Sequence, residues 1–312
     1  MRFVCPLHFI VILLAATAFL VPRNACAQAA SWVVTDSTTG FILDSSNPAK
    51  KLPIGSLTKI ATAMVVLDWA DAEKRDVNEF ASVPNSAAGL NSGPSAGLTP
   101  GDRVTLRDLL YAALMQSDNQ AAETLAAHVG GTLGRGPAVE AFVAQMNALA
   151  RRLGMTRTRF LNAHGLDGME RSEPFSTAED VAKLVAYAMD NSAFRFYVSQ
   201  KERKISIETA TGETTSYLLR NTNDLLGVNA IDGVKTGTTR KAGGCVAISA
   251  ARPPESRQDG EKHIITPRRL NVVVLGSADR FGVASGLLQR GWQTYDSWAA
   301  AGRPLKGWKP SR

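Results

Sequence analysis

The chain has 312 residues, 45% of them hydrophobic and 20% charged, an ordinary balance for a globular protein with enough apolar material for one large domain or two small ones. Its 35 Lys and Arg against 28 Asp and Glu give a formal charge of +7, a mild basic excess that suits an anionic neighbourhood such as cell-wall polymer or a membrane surface. His128, His164, His263 and Cys245 show no zinc spacing, and there is no P-loop or dinucleotide fingerprint. Metal and nucleotide chemistry are therefore poorly supported; no cofactor and no nucleic-acid partner are expected.

At the start, Arg2 precedes an apolar run from Phe9 to Val21, then Pro22 and the small-residue sequence Ala25-Cys26-Ala27. This is the layout of a secretory signal peptide over residues 1–27, cut after Ala27. The run is short of the ~20 apolar residues a spanning helix needs. Cleavage removes Arg2 and Arg23, taking +7 to +5, and removes Cys5 and Cys26, leaving Cys245 without an internal disulfide partner. Export without disulfides fits a periplasmic or other bacterial envelope protein whose core stands alone.

Residues 31–44 predict two short strands around the turn Asp36–Gly40. A helix is expected from Ser56 to about Ala72, then an exposed Ser/Gly/Pro/Asn-rich loop over 81–103. Helical patterns follow at Leu106–Met115, Ala121–Val129 and Val139–Leu153, and a fourth runs from Ser176-Thr177 through Met189 with Glu179 and Asp180 in its first turn. Strands are predicted at 203–209, 214–221, 233–239, 243–250 and 270–276, with a polar piece from Arg252 to Gly260 read as a long turn. A last helix, about Phe281–Ala300, closes the chain. This order suggests an α/β, more strictly α+β, fold: an antiparallel sheet sandwiched by the first and last helices, with the middle helices inserted as an all-helical lobe at about 75–200. The domain would span 28–300 and leave 301–312 as a short tail. The cleft between sheet and lobe is the default site.

The helix start is odd. Ser56 stands where an N-cap would, yet the residue three on is Lys59, a cation at the positive end of the helix dipole where a capping box wants Glu or Gln. Alone, Ser-x-x-Lys is a weak signal. Here it is followed by Ser117-Asp118-Asn119 in a break between helices and by Lys235-Thr236-Gly237 in a strand, each in the order set by penicillin-recognising serine enzymes. Ser56 at a helix start can be a nucleophile beside free N–H groups. Lys59 lies one turn on and on the same face; dipole, burial and the second cation Lys235 all push its pKa toward that of a usable base. Ser117 can relay a proton to a leaving amine, and the Asn119 amide can hold a substrate carbonyl. Lys235 and Thr236 suit a terminal carboxylate, Gly237 lets a substrate backbone lie along the strand edge, and the N–H of Thr238 would join that of Ser56 as an oxyanion donor.

With these motifs the sequence resembles the low-molecular-mass penicillin-binding proteins, the serine-type D-alanyl-D-alanine carboxypeptidases. The likeness extends over about residues 31–296 and includes Phe160–Leu166, Ser176–Asp180, Asn221–Leu226, Asp232–Thr238 and Ala242–Cys245. It implies the β-lactamase/transpeptidase-like fold, attack on D-Ala-D-Ala ends of peptidoglycan stem peptides through an acyl-Ser56 intermediate, and acylation of Ser56 by β-lactam antibiotics. Many relatives carry a C-terminal β domain and membrane anchor, for which 297–312 is too short, so no stable anchor is expected. The short form also resembles the DD-endopeptidases that cut D-alanyl cross-bridges with the same residues. A class A β-lactamase would need a deacylating glutamate; Glu173 is superficially placed but lacks the Leu-Asn that completes that loop. His164 is expected to shape the site rather than act as a base, Cys245 to be buried core, and Arg220 to be either a carboxylate contact or a solvated strand residue.

Overall fold

The computed structural model describes residues 29–90, 93, 95–134, 136–167 and 173–306. The leader expected at 1–27 and the end of the tail beyond 306 lie outside them. β1 (Ser31–Asp36) and β2 (Ile42–Ser46) form the expected hairpin. Three later strands, β7 (Ile231–Thr239), β8 (Gly243–Asp259) and β9 (Lys262–Ser277), complete a five-stranded antiparallel sheet in the order β2-β1-β9-β8-β7. The first strand pairs with the last, so the sheet closes only when the whole chain is present.

Both faces of the central strands are covered, and alternation sorts their side chains between two cores. Val34, Val246, Ile248, Val272 and Val274 pack on the side of α7 (Arg280–Ala300), while Val33, Ala247, Val273 and Leu275 face α1 (Thr58–Ala72) and α5 (Ala178–Asp190). Double burial explains the unbroken apolar run Val272–Leu275. Helix α7 comes so close that a side chain at Gly291 would lie 2.7 Å from Val34.

The remaining helices are α2 (Leu106–Tyr111), α3 (Asn119–Thr132), α4 (Ala138–Arg152) and α6 (Ser192–Val198). They are joined by a second sheet with the order β3-β4-β5-β6: β3 (Phe80–Ser82), β4 (Arg103–Thr105), β5 (Glu202–Glu208) and β6 (Thr214–Arg220). The lobe is thus not all helical. The ends of the expected 81–103 loop pair with each other and with β5, using three-residue strands too short to read from periodicity.

The piece Arg252–Gly260 is not a long turn. β8 and β9 continue as a projecting two-stranded ribbon whose reversal lies between Asp259 and Lys262. Pro253 and Pro254 fit because the ladder slips between Arg252 and Glu255, three steps on β8 against two on β9, a bulge that releases the missing N–H donors. A ribbon solvated on both faces carries no apolar alternation to betray it.

Candidate active site

Ser56 does not cap α1. It sits in a tight turn over Gly55–Leu57, and neither that turn nor α1 has a side-chain cap. Its hydroxyl instead meets Lys59, whose Nζ lies 2.9 Å from Ser56 Oγ, 2.7 Å from Asn119 Oδ1 and 2.7 Å from the His164 carbonyl oxygen. Lys59 is 0% exposed, and burial lowers its pKa to about 7, with Asp118 pulling partly the other way. The amine is therefore charged only in part near neutrality. A neutral amine has two N–H donors and one lone pair. Asn119 Oδ1 and the His164 carbonyl can accept both protons, which leaves the lone pair for the serine O–H.

The Ser117–Asn119 segment is delivered by an irregular helix end. α2 widens into a π turn over Ala112–Gln116, and Ser117 follows with a left-handed φ of 69°. Asp118 then caps α3 by accepting from Ala121 N (2.9 Å), while its other oxygen accepts from Ala96 N (2.7 Å), tying the 95–98 loop to the site. Asn119 starts the helix and reaches Lys59.

The opposite wall is β7, at the edge of the large sheet. Lys235 is 1% exposed, its pKa driven well down by burial and by the Lys59 and Arg280 cations; its Nζ donates to the Thr236 carbonyl (2.9 Å). Gly237 has a reason beyond the one read from sequence: a Cβ there would lie 3.0 Å from the Ile54 carbonyl and from Ser56 N, so strand and nucleophile turn approach backbone to backbone. Gly165 does the same from the other side, since its Cβ would fall 2.0 Å from the Gly55 carbonyl.

Ser56, Ser117, Asn119, Thr236, Gly237 and Thr238 line one cavity of about 640 Å³. Lys59 and Lys235 lie buried behind it. Thr222 and Arg280 are among the lining residues that sequence reasoning did not assign to the site. Thr222 shares a 2.6 Å hydroxyl contact with Thr236, and Arg280 Nη1 donates to the Gly237 carbonyl (3.0 Å) and meets Thr238 Oγ1 (2.5 Å). Thr222 lay inside the quoted Asn221–Leu226 segment; Arg280 had no local signal, being the first residue of α7 and brought in by the sheet. Arg220, the arginine that did draw notice, pairs with Glu202 in the open and lines no part of this cavity.

His164 does not serve a Ser–His–Asp triad. Its Nδ1 accepts from Leu166 N (3.2 Å), burial and the Lys59 charge lower its pKa to about 3, and its role at Lys59 is played by its main-chain oxygen. Asp180 is occupied by Arg157 N, Thr158 and Lys183, and Asp167 by Thr239 and Lys241 N. Glu173 meets Lys241 and is not among the lining residues. Cys245 is buried and its thiol pKa is pushed up to about 11 by burial, a poor nucleophile.

Three comparisons with known proteins agree. The profile of the family described as D-alanyl-D-alanine carboxypeptidase matches residues 20–257. The chain is 31% identical over 296 residues to a D-alanyl-D-alanine carboxypeptidase of Escherichia coli, spanning 91% of this chain and 67% of that one. It is 34% identical over 222 residues to a D-alanyl-D-alanine endopeptidase of Pseudomonas aeruginosa, spanning 70% and 66%. It thus covers about two thirds of the length of these relatives. Among solved structures, a Streptomyces DD-transpeptidase superposes with a TM-score of 0.72 at 28% identity, covering 85% of this chain and 97% of the other. A Listeria monocytogenes penicillin-binding protein in a cefotaxime-bound form gives 0.66, at 28% identity, over 85% and 97%. On the strength of the profile match and these identities, the chain belongs to the D-alanyl-D-alanine carboxypeptidase family and is a serine-type peptidase.

Proposed function

We propose that this chain is a serine-type D-Ala-D-Ala carboxypeptidase that trims peptidoglycan stem peptides. The observation that carries the reading is the Lys59 amine, fully buried and 2.9 Å from Ser56 Oγ. In acylation, Ser56 Oγ bonds to the carbonyl carbon of the penultimate D-Ala while its proton passes to neutral Lys59. The backbone N–H groups of Ser56 and Thr238 stabilise the oxyanion. The C–N bond breaks, the proton held by Lys59 passes through Ser117 to the departing amine and leaves Lys59 neutral, and free D-alanine departs. Water then attacks the acyl-serine with Lys59 again taking the proton, and Ser56 is regenerated.

Recognition falls to the free edge of β7. A peptide laid antiparallel to β7 with its C-terminus at Lys235–Thr236 runs its preceding residues past Thr238. Thr236, Lys235 and Arg280 hold the terminal carboxylate, with Thr222 supporting Thr236. Asn119 holds the acyl-side carbonyl. A β-lactam, whose ring amide opens on the same serine, acylates Ser56 without a departing fragment. The catalytic unit is residues 28–300, with its smaller lobe at about 75–200, behind a leader at 1–27 that directs export to the cell envelope.

Digestion of purified muropeptides followed by mass spectrometry tests this. Free D-alanine from pentapeptide ends is the expected product. Conversion of cross-linked dimers to monomers without D-alanine release supports instead the endopeptidase reading, which the Pseudomonas relative keeps in view. Rapid multiple turnover of nitrocefin would sink both.

A further inference from the structure

We propose that Asn162 is a positioning residue that aims the Lys59 amine at Ser56 by holding the main chain of residues 163–166 against the start of α1. The inference rests on Lys59 being the base. With two N–H donors and one lone pair, the direction of that lone pair is fixed by where the two acceptors sit. One, Asn119 Oδ1, stands on the rigid first turn of α3. The other is the carbonyl oxygen of His164, in a segment with no regular structure.

The peptide group that carries that carbonyl is held at its other end, Gly165 N, by the Asn162 side chain. Asn162 Oδ1 accepts from His164 N (3.2 Å) and from Gly165 N (2.6 Å), and its Nδ2 donates to the Leu166 carbonyl (3.1 Å). Three backbone groups within four residues are closed into one turn by an amide that can both accept and donate. The turn is pressed directly onto the nucleophile's own, since a Cβ added at Gly165 would fall 2.0 Å from the Gly55 carbonyl. A shift of the 164–166 backbone therefore carries the acceptor away from Nζ.

The segment has other anchors, so losing the Asn162 amide need not unfold it. Asn147 clamps Phe160 from both sides, accepting from its N–H (2.9 Å) and donating to its carbonyl (2.9 Å). Thr62, one turn beyond Lys59 on α1, donates to the Ala163 carbonyl (2.6 Å). These bonds hold the entry to the turn and leave the His164 carbonyl to Asn162. The charged groups facing Lys59 from the packed elements are Asp118 on the α3 side and Lys235 on β7. The neutral His164 ring adds none.

The test is the rate constant for acylation by a fluorescent penicillin, separated from its non-covalent affinity and followed from mildly acidic to mildly alkaline pH, with thermal unfolding alongside. Asn162→Ala should slow acylation by about 10²-fold, the order expected when a reacting group is displaced by an ångström, with affinity unchanged. Its acid limb should move to lower pH, because a carbonyl acceptor that favoured the ammonium is lost. Asn162→Asp keeps an oxygen that can accept from His164 N and Gly165 N but loses the donor to Leu166; it should retain more of the rate and move the limb to higher pH by adding a negative charge. It also carries the test if the alanine variant fails to fold. Wild-type rate and limb in both variants, or a slow rate with an unmoved limb in both, would overturn the proposal. Ser56→Ala run in parallel separates the two readings: if it still acylates, the serine–lysine assignment itself fails, whatever Asn162 does.

Discussion

The two walls of the cleft are built on different principles. On the helical wall, Ser56, Lys59, Asn119 and the His164 carbonyl form a closed set in which the Lys59 amine already has its partners and is dry. On the strand wall, the donors are parked on their own backbone: Lys235 on Thr236 O, Thr238 Oγ1 on Gly237 O, Arg280 on Gly237 O. The first wall is pre-organised and costs no rearrangement at the moment of reaction. The second is cationic and can turn its donors toward an anion that arrives. Proton transfer through Lys59 and recognition of the terminal carboxylate thus fall on opposite walls, and side-chain substitutions should sort by wall.

The largest effects belong to the helical wall. Ser56→Ala should abolish labelling by fluorescent penicillin, and Lys59→Ala should slow acylation by about 10³-fold or more. A Lys59→Ala enzyme that labels at near wild-type rate would refute the assignment of the base. Seen from sequence alone, removing this cation ought to leave stability unchanged or improved. The structure reverses the sign: alanine leaves a cavity in the buried site and strips the His164 carbonyl of its Lys59 donor, an orphaned acceptor costing about 1–3 kcal/mol. A lowered Tm is the expected outcome.

The pH dependence follows from the same amine. Its pKa is lowered from 10.5 to about 7, so the reactive neutral form dominates above about pH 7 and is lost as the pH falls through that value. Acylation should therefore decline on the acid side with a limb near 7. A profile flat from neutral to mildly acidic pH would break the link between the buried amine and the rate.

On the strand wall, Arg280→Ala should raise KM for peptides with a free C-terminal carboxylate by about 10- to 100-fold, the worth of one hydrogen bond to a charged group, with kcat little changed. Peptides amidated at the C-terminus should lose nothing. An equal loss for both substrates would place Arg280 in the framework of β7 rather than in recognition.

Both walls left motifs in the sequence, Ser56–Lys59 and Ser117–Asn119 on one side and Lys235–Thr238 on the other, but the strand wall was read less completely. Ser56, Lys59, Ser117 and Asn119 are readable because the helix breaks and caps that carry them are local, and a lysine inside a first turn is conspicuous against dipole physics. Arg280 was invisible because only the pairing of β9 with β8 and the start of α7 bring it to β7, 43 residues from the carbonyl it touches. Exposed Arg220 drew notice instead, since sequence position does not report burial. The same limit hid the two three-residue strands, β3 and β4, that extend the expected β5–β6 pair into a four-stranded sheet, and the ribbon at 252–269, whose polar faces mimic a loop. Gly237 and Gly165 were conspicuous as motif glycines, but the backbone approach each permits is a tertiary fact.

The smallest predicted effect lies within the helical wall and separates the main chain of His164 from its ring. His164 contributes its carbonyl to Lys59, while its ring only accepts a backbone N–H and stays neutral. His164→Gln keeps the main chain and can keep an acceptor near Leu166 N, so acylation should fall by no more than a few-fold, about the loss of one neutral hydrogen bond. Its acid limb should keep the wild-type position, because the titrating group is Lys59. A triad would behave otherwise, since removing a catalytic imidazole costs orders of magnitude and removes its own limb from the profile. Stopped-flow acylation of His164→Gln across the acid range decides between them. A loss as deep as that of Lys59→Ala would mean that the imidazole, and not the oxygen behind it, belongs to the reacting set.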